Sequence, residues 1–319
     1  MAQDRARKRG RRNNRPVIIG AIALFVVVDV ALVGYAILNT DSASDSSFAE
    51  TPVREDNNTP SAEPTPTQTA REPLAAPATY LSAVDATTAY RTQAGDCGSA
   101  TTAVLEKTSD GGATWTSSTL TTDLSSVFRL QAQDSTYAFM VGGATSTCEV
   151  GFTATYTSGT GFQTYPDRVA ATWYADPATP GVVHSPAGSF ASPCGVVTGL
   201  APSTDLSAAV LCDDRTIYRT GDGARAWDSG TSVSGAVALT QTSNGYLVAS
   251  TDDAAACVGV SVASLGYTGD ATPIGCIAGV DTADAPQVLL SAGATSVWAQ
   301  VGNDVAVSAD GGVTWPARG

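Results

Sequence analysis

Two eight-residue segments constrain this chain more than anything else in it: Thr108-Ser109-Asp110-Gly111-Gly112-Ala113-Thr114-Trp115 and Ser308-Ala309-Asp310-Gly311-Gly312-Val313-Thr314-Trp315. Each carries a hydroxyl residue, then Asp, Gly, Thr and Trp at fixed spacing. An internal repeat fixes architecture, because every copy has to occupy an equivalent place in the fold. The aspartate accepts hydrogen bonds from backbone N–H groups a few residues on, and the glycines permit positive φ. Thr and Trp suit the start of a strand, with the indole packing back over the turn. The segment therefore reads as a self-contained turn between two antiparallel strands.

Weaker copies follow the same template. Thr220-Gly221-Asp222-Gly223-Ala224-Arg225-Ala226-Trp227 keeps Thr, Asp and Trp, and Ser158-Gly159-Thr160-Gly161-Phe162-Gln163-Thr164-Tyr165 keeps Ser and Thr with Tyr for Trp. A further candidate, Thr268-Gly269-Asp270, has no aromatic partner. The motif resembles the Asp box, or BNR repeat, of bacterial sialidases, sortilin-type receptors and photosystem II assembly factor-like propellers. The resemblance implies an all-β propeller in which the repeat joins the two outer strands of a blade.

The rest of the chain divides into four parts. Residues 1–15 form a basic tail in which Arg5, Arg7, Lys8, Arg9, Arg11, Arg12 and Arg15 outweigh Asp4. The apolar run Val17 to Leu38 follows at once and is long enough to span a bilayer, so residues 16–39 are expected to form a transmembrane helix. Basic residues flank only its first end, which places the N-terminus in the cytoplasm and the remainder outside the plasma membrane. A cleaved signal peptide is the competing reading, but its apolar core is normally shorter. Asp29 stands near the middle of the run, where a carboxylate costs about 2.5–3.5 kcal/mol. It reads either as a contact with a partner helix or as a protonated residue tolerated on a strongly apolar span.

Residues 40–78 are rich in Pro, Thr and Ser and read as a disordered linker, because few apolar side chains offset the entropy of ordering. From 79 to 319, short β-like runs alternate with Gly, Asp, Ser and Thr clusters, with no helical period. At roughly 40–50 residues per blade this stretch holds five or six blades. Strand pairs beginning near Tyr80, Ser126, Ala171, Val196, Gly235 and Gln287 favour six, with one eroded between Ala171 and Val196. The ring is expected to close by pairing strands from the two ends of the chain.

Six cysteines, Cys97, Cys148, Cys194, Cys212, Cys257 and Cys276, all lie in the external region. An even number in an oxidising compartment reads as disulfides, and sequence alone leaves 15 connectivities. Pairing of sequence neighbours, 97–148 with 194–212 and 257–276, is the expectation. With no Cys-x-x-Cys and only His184 as a histidine, neither a metal nor another cofactor is expected. The acid pairs Asp213-Asp214 and Asp252-Asp253 read as solvated loop residues.

The resemblance also raises a glycan-acting hydrolase of sialidase type, which implies three arginines around a substrate carboxylate, a Tyr–Glu pair and an acidic Asp. The string nearest the sialidase arginine motif is Phe128-Arg129-Leu130-Gln131, which lacks its proline and follows the first repeat. The region's arginines are Arg91, Arg129, Arg168, Arg215, Arg219, Arg225 and Arg318, and its only glutamates are Glu106 and Glu149. No nucleophile elbow, phosphate loop or zinc spacing appears. Of the net charge of −13, the tail contributes +6, leaving the remainder at −19. Such a domain does not attract nucleic acid. The sequence thus predicts a non-enzymatic binding or scaffolding module on a bacterial cell envelope, with a protein or glycan partner. The compositional bias towards Ala, Thr, Ser, Val, Gly and Arg over Lys suggests the bacterial source.

Overall fold

In a computed structural model, the described residues are 72–252, 257–280 and 287–316. Among these residues, twenty-one strands form five meandering antiparallel sheets and one separate hairpin. Blade 1 consists of β1 (Thr79–Ala83), β2 (Ala89–Gln93), β3 (Val104–Thr108) and β4 (Thr116–Thr119). Blade 2 holds β5 (Ser126–Ala132), β6 (Ala138–Gly143), β7 (Val150–Thr155) and β8 (Gln163–Thr164). A 3-10 turn, Pro166–Ala171, leads into the hairpin of β9 (Val182–Ser185) and β10 (Gly188–Ala191). Blade 3 holds β11 (Val197–Pro202), β12 (Ala208–Cys212), β13 (Thr216–Thr220) and β14 (Thr231–Ser232). Blade 4 is β15 (Ala236–Thr242), β16 (Gly245–Ser250), β17 (Gly259–Leu265) and β18 (Ala271–Ala278), and blade 5 is β19 (Val288–Ala292), β20 (Val297–Val301) and β21 (Asp304–Ser308).

The molecule is a five-bladed β-propeller. The preferred count of six needs correcting: where a pair was expected near Ala171, the chain makes the 3-10 turn and the two-stranded hairpin instead. Their apolar side chains pack on neighbouring blades, and among the described residues the hairpin's two strands pair with each other and with no blade. Tyr165, Val169 and Tyr174 cover blade 2, while Trp173, Val183 and Phe190 cover blade 3. The insert therefore works as a wedge between two blades.

The second strand of blades 2 to 5 is buried along its whole length, as in AFMVGG, AAVLC, GYLVAS and VWAQV. A central strand with a neighbouring blade on each face has no solvent side. Its sequence is accordingly apolar or small, with little alternation, Gln300 of β20 being the exception. The apolar clusters lie between blades: one joins blades 1 and 2 around Tyr90, Leu105, Leu124 and Met140, and another joins blades 4 and 5 around Val262, Ile277, Leu290 and Val301.

The repeat segments close the corners between β3 and β4 and just after β21. Asp110 Oδ1 accepts from Thr108 Oγ1 at 2.8 Å and Thr114 N at 2.9 Å, and Oδ2 accepts from Thr114 Oγ1 at 2.5 Å. Thr108 Oγ1 accepts in turn from Gly112 N at 3.1 Å. Asp310 repeats this set, with Ser308 Oγ at 2.7 Å, Thr314 N at 2.8 Å and Thr314 Oγ1 at 2.6 Å. Gly112 and Gly312 have φ of +89° and +94°. Ala224 holds the matching place in the third copy at +70°, where Asp222 accepts from Thr220 Oγ1 at 2.9 Å and Ala226 N at 3.0 Å.

The copy read at 158–165 sits in a different register. Thr155 Oγ1 accepts from Gly159 N at 2.9 Å, so Thr155 matches Thr108 and the aromatic position falls on Phe162. The template was obscured because Thr157 stands where the aspartate would be. In blade 4 the matching residue is the buried Leu265, paired with Tyr246, and it has no hydroxyl to close the turn.

The aromatic ending each turn packs towards the preceding blade, a wider role than covering its own turn. Trp115 joins Trp298, Val305 and Val307 of blade 5, Phe162 joins the blade 1–2 cluster, Trp227 packs beside Phe190 of the hairpin, and Trp315 joins the blade 4–5 cluster. Arg91 also lies over Trp115 at 4.1 Å.

Closure by a shared strand is a second correction. Among the described residues, blade 1 keeps its own four strands, blade 5 has three, and none crosses between them. Hydrogen bonds and packing join the two blades instead. Gln287 Oε1 accepts from Ala78 N at 3.1 Å and Thr79 N at 3.0 Å, Ser291 Oγ accepts from Ala83 N at 2.9 Å, and Trp298 Nε1 donates to Asp85 O at 2.7 Å. Ala294 N also donates to Val84 O at 3.0 Å.

Three disulfides join Cys97 to Cys148, Cys194 to Cys212, and Cys257 to Cys276, the neighbour pairing expected. The first ties blade 1 to blade 2, and the other two lie within or beside blades 3 and 4. Among the described residues, no helix is long and apolar enough to cross a membrane. The expected tail, the 16–39 span with Asp29, and most of the 40–78 linker lie outside the described residues.

Candidate functional site

Five inner strands, β1, β5, β11, β15 and β19, each spend one edge on pairing within their own blade and turn the other to the axis. Between them lies a cavity of about 550 Å³. Residues 72–78, counted with the linker in sequence, border it. Leu74 N donates to Asp213 O of blade 3 at 2.8 Å, Ala76 and Pro77 line the cavity, and Ala78 reaches Gln287. This strap therefore runs from blade 3 to blade 1 at the end of the axis where the inner strands begin. The 175–182 segment of the wedge adds Asp176, Pro177 and Pro180 to the wall.

The polar lining is sparse. Arg129 donates Nη1 to Trp173 O at 2.5 Å and Nη2 to Gln131 Oε1 at 2.5 Å, with its guanidinium 5.5 Å from the Phe139 ring centre. Among the described residues no carboxylate pairs with it. Burial pushes the guanidinium down to about 10, which still leaves it charged at neutral pH. Burial pushes the Tyr80 phenol upwards, so it stays a neutral donor. Gln131, Gln241, Gln287 and hydroxyl residues including Ser82, Thr240 and Ser291 also line it, and Asp176 Oδ1 is engaged by Ala178 N at 2.8 Å.

Hydroxyls stitch the inner strands together. Ala132 N donates to Ser82 Oγ at 2.8 Å, Ala83 N to Ser291 Oγ at 2.9 Å, and Ala292 N to Thr240 Oγ1 at 3.2 Å. These bonds join blades 1–2, 5–1 and 4–5. The pattern fails on both sides of blade 3. Gln131 replaces the hydroxyl residue on β5, and Pro202, its counterpart on β11, has no N–H to donate. At this seam Trp173 of the wedge bridges the two blades, accepting from Arg129 through its carbonyl and donating Nε1 to Thr204 O at 2.9 Å. Between blades 3 and 4, Arg215 Nη1 donates to Ala236 O at 2.8 Å.

Of the residues considered for sialidase-type chemistry, Arg129 and Arg168 border one crevice between blades 2 and 3 and the others are dispersed. Among the described residues, Arg129 is the one arginine lining the axial cavity and no glutamate lines it. Arg91 pairs with Glu106 at 2.6 Å on the outer part of blade 1. Arg219 pairs with Asp228 at 2.7 Å and donates to Gly266 O and Gly269 O of blade 4. Arg225 lies over Phe190 at 5.3 Å, and Arg318 lies outside the described residues. His184 stacks on Tyr174 at 4.4 Å with Nδ1 2.9 Å from Thr172 O. Asp214 Oδ1 accepts from Thr216 N at 2.9 Å, and Asp253 is outside the described residues. No cluster of three metal-ligating side chains occurs among the described residues.

No protein-family model and no curated protein matches the chain. Among solved structures, YCF48 bound to D1 peptide is similar at 19% identity over 78% of this chain and 67% of that one, with a TM-score of 0.28. YCF48 from Cyanidioschyzon merolae is similar at 16% identity over 79% of this chain and 86% of that one, with a TM-score of 0.27. A GH74 enzyme from Niastella koreensis is similar at 13% identity over 74% of this chain, with a TM-score of 0.39, and this chain covers 46% of its length.

Proposed function

We propose that this protein is a membrane-anchored, extracytoplasmic binding or scaffolding module of a bacterial cell envelope, holding a protein or glycan partner at the mouth of the axial pocket. The lining of that pocket carries the reading. One unpaired arginine, a neutral tyrosine, several glutamines and free strand edges make a recognition set, whereas acid–base catalysis calls for a positioned proton donor and acceptor. Three disulfides suit an oxidising compartment, as an external propeller requires. The basic tail and apolar run at 16–39 supply the anchor, and the acidic exterior favours neutral or cationic partners over nucleic acid. Asp29 is assigned to a contact within the membrane. The repeat turns, as Asp boxes at blade corners, serve stability.

Three experiments test this reading. Protease added to intact cells should digest the propeller and spare the tail; a protected propeller would refute the topology. Partner retention by the full-length protein should be lost on filling the pocket with Ala238→Trp, and unchanged retention would move the binding surface elsewhere. In the membrane, Asp29→Leu should reduce crosslinked oligomers or co-purified membrane proteins, and no change in either would remove the contact.

A further inference from the structure

We infer that the crevice between blades 2 and 3 is a second binding site, built to take a small carboxylate. The crevice has a volume of about 400 Å³ and shares Arg129, Gln131 and Pro202 with the axial pocket. It exists because this seam lacks the hydroxyl stitch and the wedge stands between the blades.

Two guanidinium groups face it, those of Arg129 and Arg168. Among the described residues, neither is paired with a carboxylate. A guanidinium has five N–H donors, and Arg129 uses donors on Nη1 and Nη2 for Trp173 and Gln131, leaving the others for a ligand. Arg168 lies over Tyr165 at 5.5 Å, and its charge acts on the neighbouring Tyr137 hydroxyl. Two unpaired cations in one concavity are unusual for a chain of net charge −13. Of the two, Arg129 is the enclosed one, and a cation enclosed without a counter-ion carries a desolvation cost that an entering carboxylate offsets. The planar fork also matches a carboxylate with two parallel hydrogen bonds.

The remaining lining is mixed: four aromatic side chains, all nearly buried, sit among the hydrogen-bonding Gln131, Gln133, Thr172, Ser203 and Thr204. Phe139 and Phe152 stack at 4.8 Å, and Tyr137 and Trp173 flank them. Asp205 is the one carboxylate among the lining residues, and it is exposed. The site thus offers two guanidinium groups beside a hydrogen-bonding lining backed by aromatic rings. Either a free acid or the carboxyl end of a chain presents this chemistry.

The test uses the full-length protein in detergent micelles and calorimetric titration with three probes: N-acetyl-phenylalanine, its amide, and a short peptide ending in phenylalanine. The acid should bind saturably and the amide should not. Arg168→Gln, at an exposed position outside the axial pocket, should weaken binding roughly ten- to a hundredfold, as expected for a hydrogen bond to a charged group, and leave the melting temperature unchanged. Tighter binding of the peptide than of the acid would identify a chain end as the source, and equal binding a free acid. The inference is overturned if acid and amide bind alike, if the acid does not bind, or if Arg168→Gln binds as the wild type does. Ala238→Trp leaves the crevice lining intact, so failure at the axial pocket and failure here are separable.

Discussion

Replacing Ser291 with alanine probes the seam that closes the ring. Ser291 Oγ accepts from Ala83 N at 2.9 Å, and Ala83 is only 5% exposed. The substitution leaves that N–H buried with no replacement acceptor, which costs about 1–3 kcal/mol. For a domain of this size each kcal/mol corresponds to roughly 2–4 °C, so the melting temperature should fall by about 2–12 °C. The sister stitches provide the internal comparison. Ala132 and Ala292, which donate to Ser82 and Thr240, are only partly buried. Water can reach their N–H groups when the hydroxyl is removed, so Ser82→Ala and Thr240→Val should each cost less than Ser291→Ala. Thermal unfolding followed by circular dichroism at matched scan rates would rank the three. Equal losses, or a Ser291→Ala protein as stable as the wild type, would refute the argument that desolvation at this seam sets the scale.

Other expectations concern the turns and cross-links. Hydrogen bonds from Thr114 and Thr108 hold the Asp110 carboxyl down at about 2, and Thr314 and Ser308 do the same for Asp310. A carboxyl depressed on folding stabilises above its unfolded value near 3.9, and that contribution is lost as pH falls through the folded value. Melting temperature should therefore be flat on this account from pH 5 to 8 and decline below about pH 4, and Asp110→Asn with Asp310→Asn should blunt the decline, as acid titration of both proteins would measure. Replacing Cys97 and Cys148 together by serine should cost about 4 kcal/mol, against about 3 kcal/mol for either shorter loop, given separations of 51, 18 and 19 residues. Denaturant titration would order them. Trp298→Ala removes a fully buried indole and should destabilise by about 3–5 kcal/mol, by the same measurement.

Much of the fold was legible because blades are local. Each sheet pairs consecutive strands, so turn signals and apolar runs recur along the sequence, and the two full repeats marked the blade corners. The cysteine pairing was accessible for the same reason. What lay hidden depends on contacts between blades. Nothing in Pro166 to Ala191 signals that its aromatic residues cover neighbouring blades; as a run of short apolar pieces it resembles an eroded blade. Arg129 drew notice only as part of a poor match to an arginine motif. Its setting depends on Trp173 and Gln131, and on Arg168 from another stretch, which only the ring brings together. The Asx turns at Asp85 and Asp134 were a missed local signal. Each accepts from two backbone N–H groups, Thr87 with Thr88 and Thr136 with Tyr137, and the Asp-x-Thr spelling is present in both.

The hydroxyl stitches also bear on the order in which the ring assembles. Those at Ser82 and Thr240 join residues 50 and 52 positions apart, whereas the one at Ser291 spans 208. A fourfold longer loop is two doublings, and each adds about 0.6 kcal/mol of closure entropy. The same type of bond therefore forms against a barrier about 1.2 kcal/mol higher where blade 5 meets blade 1. During folding that junction should consolidate last, after neighbouring blades have docked in chain order. During unfolding it should be the first to part, opening the circle into an arc before any blade loses its own strands.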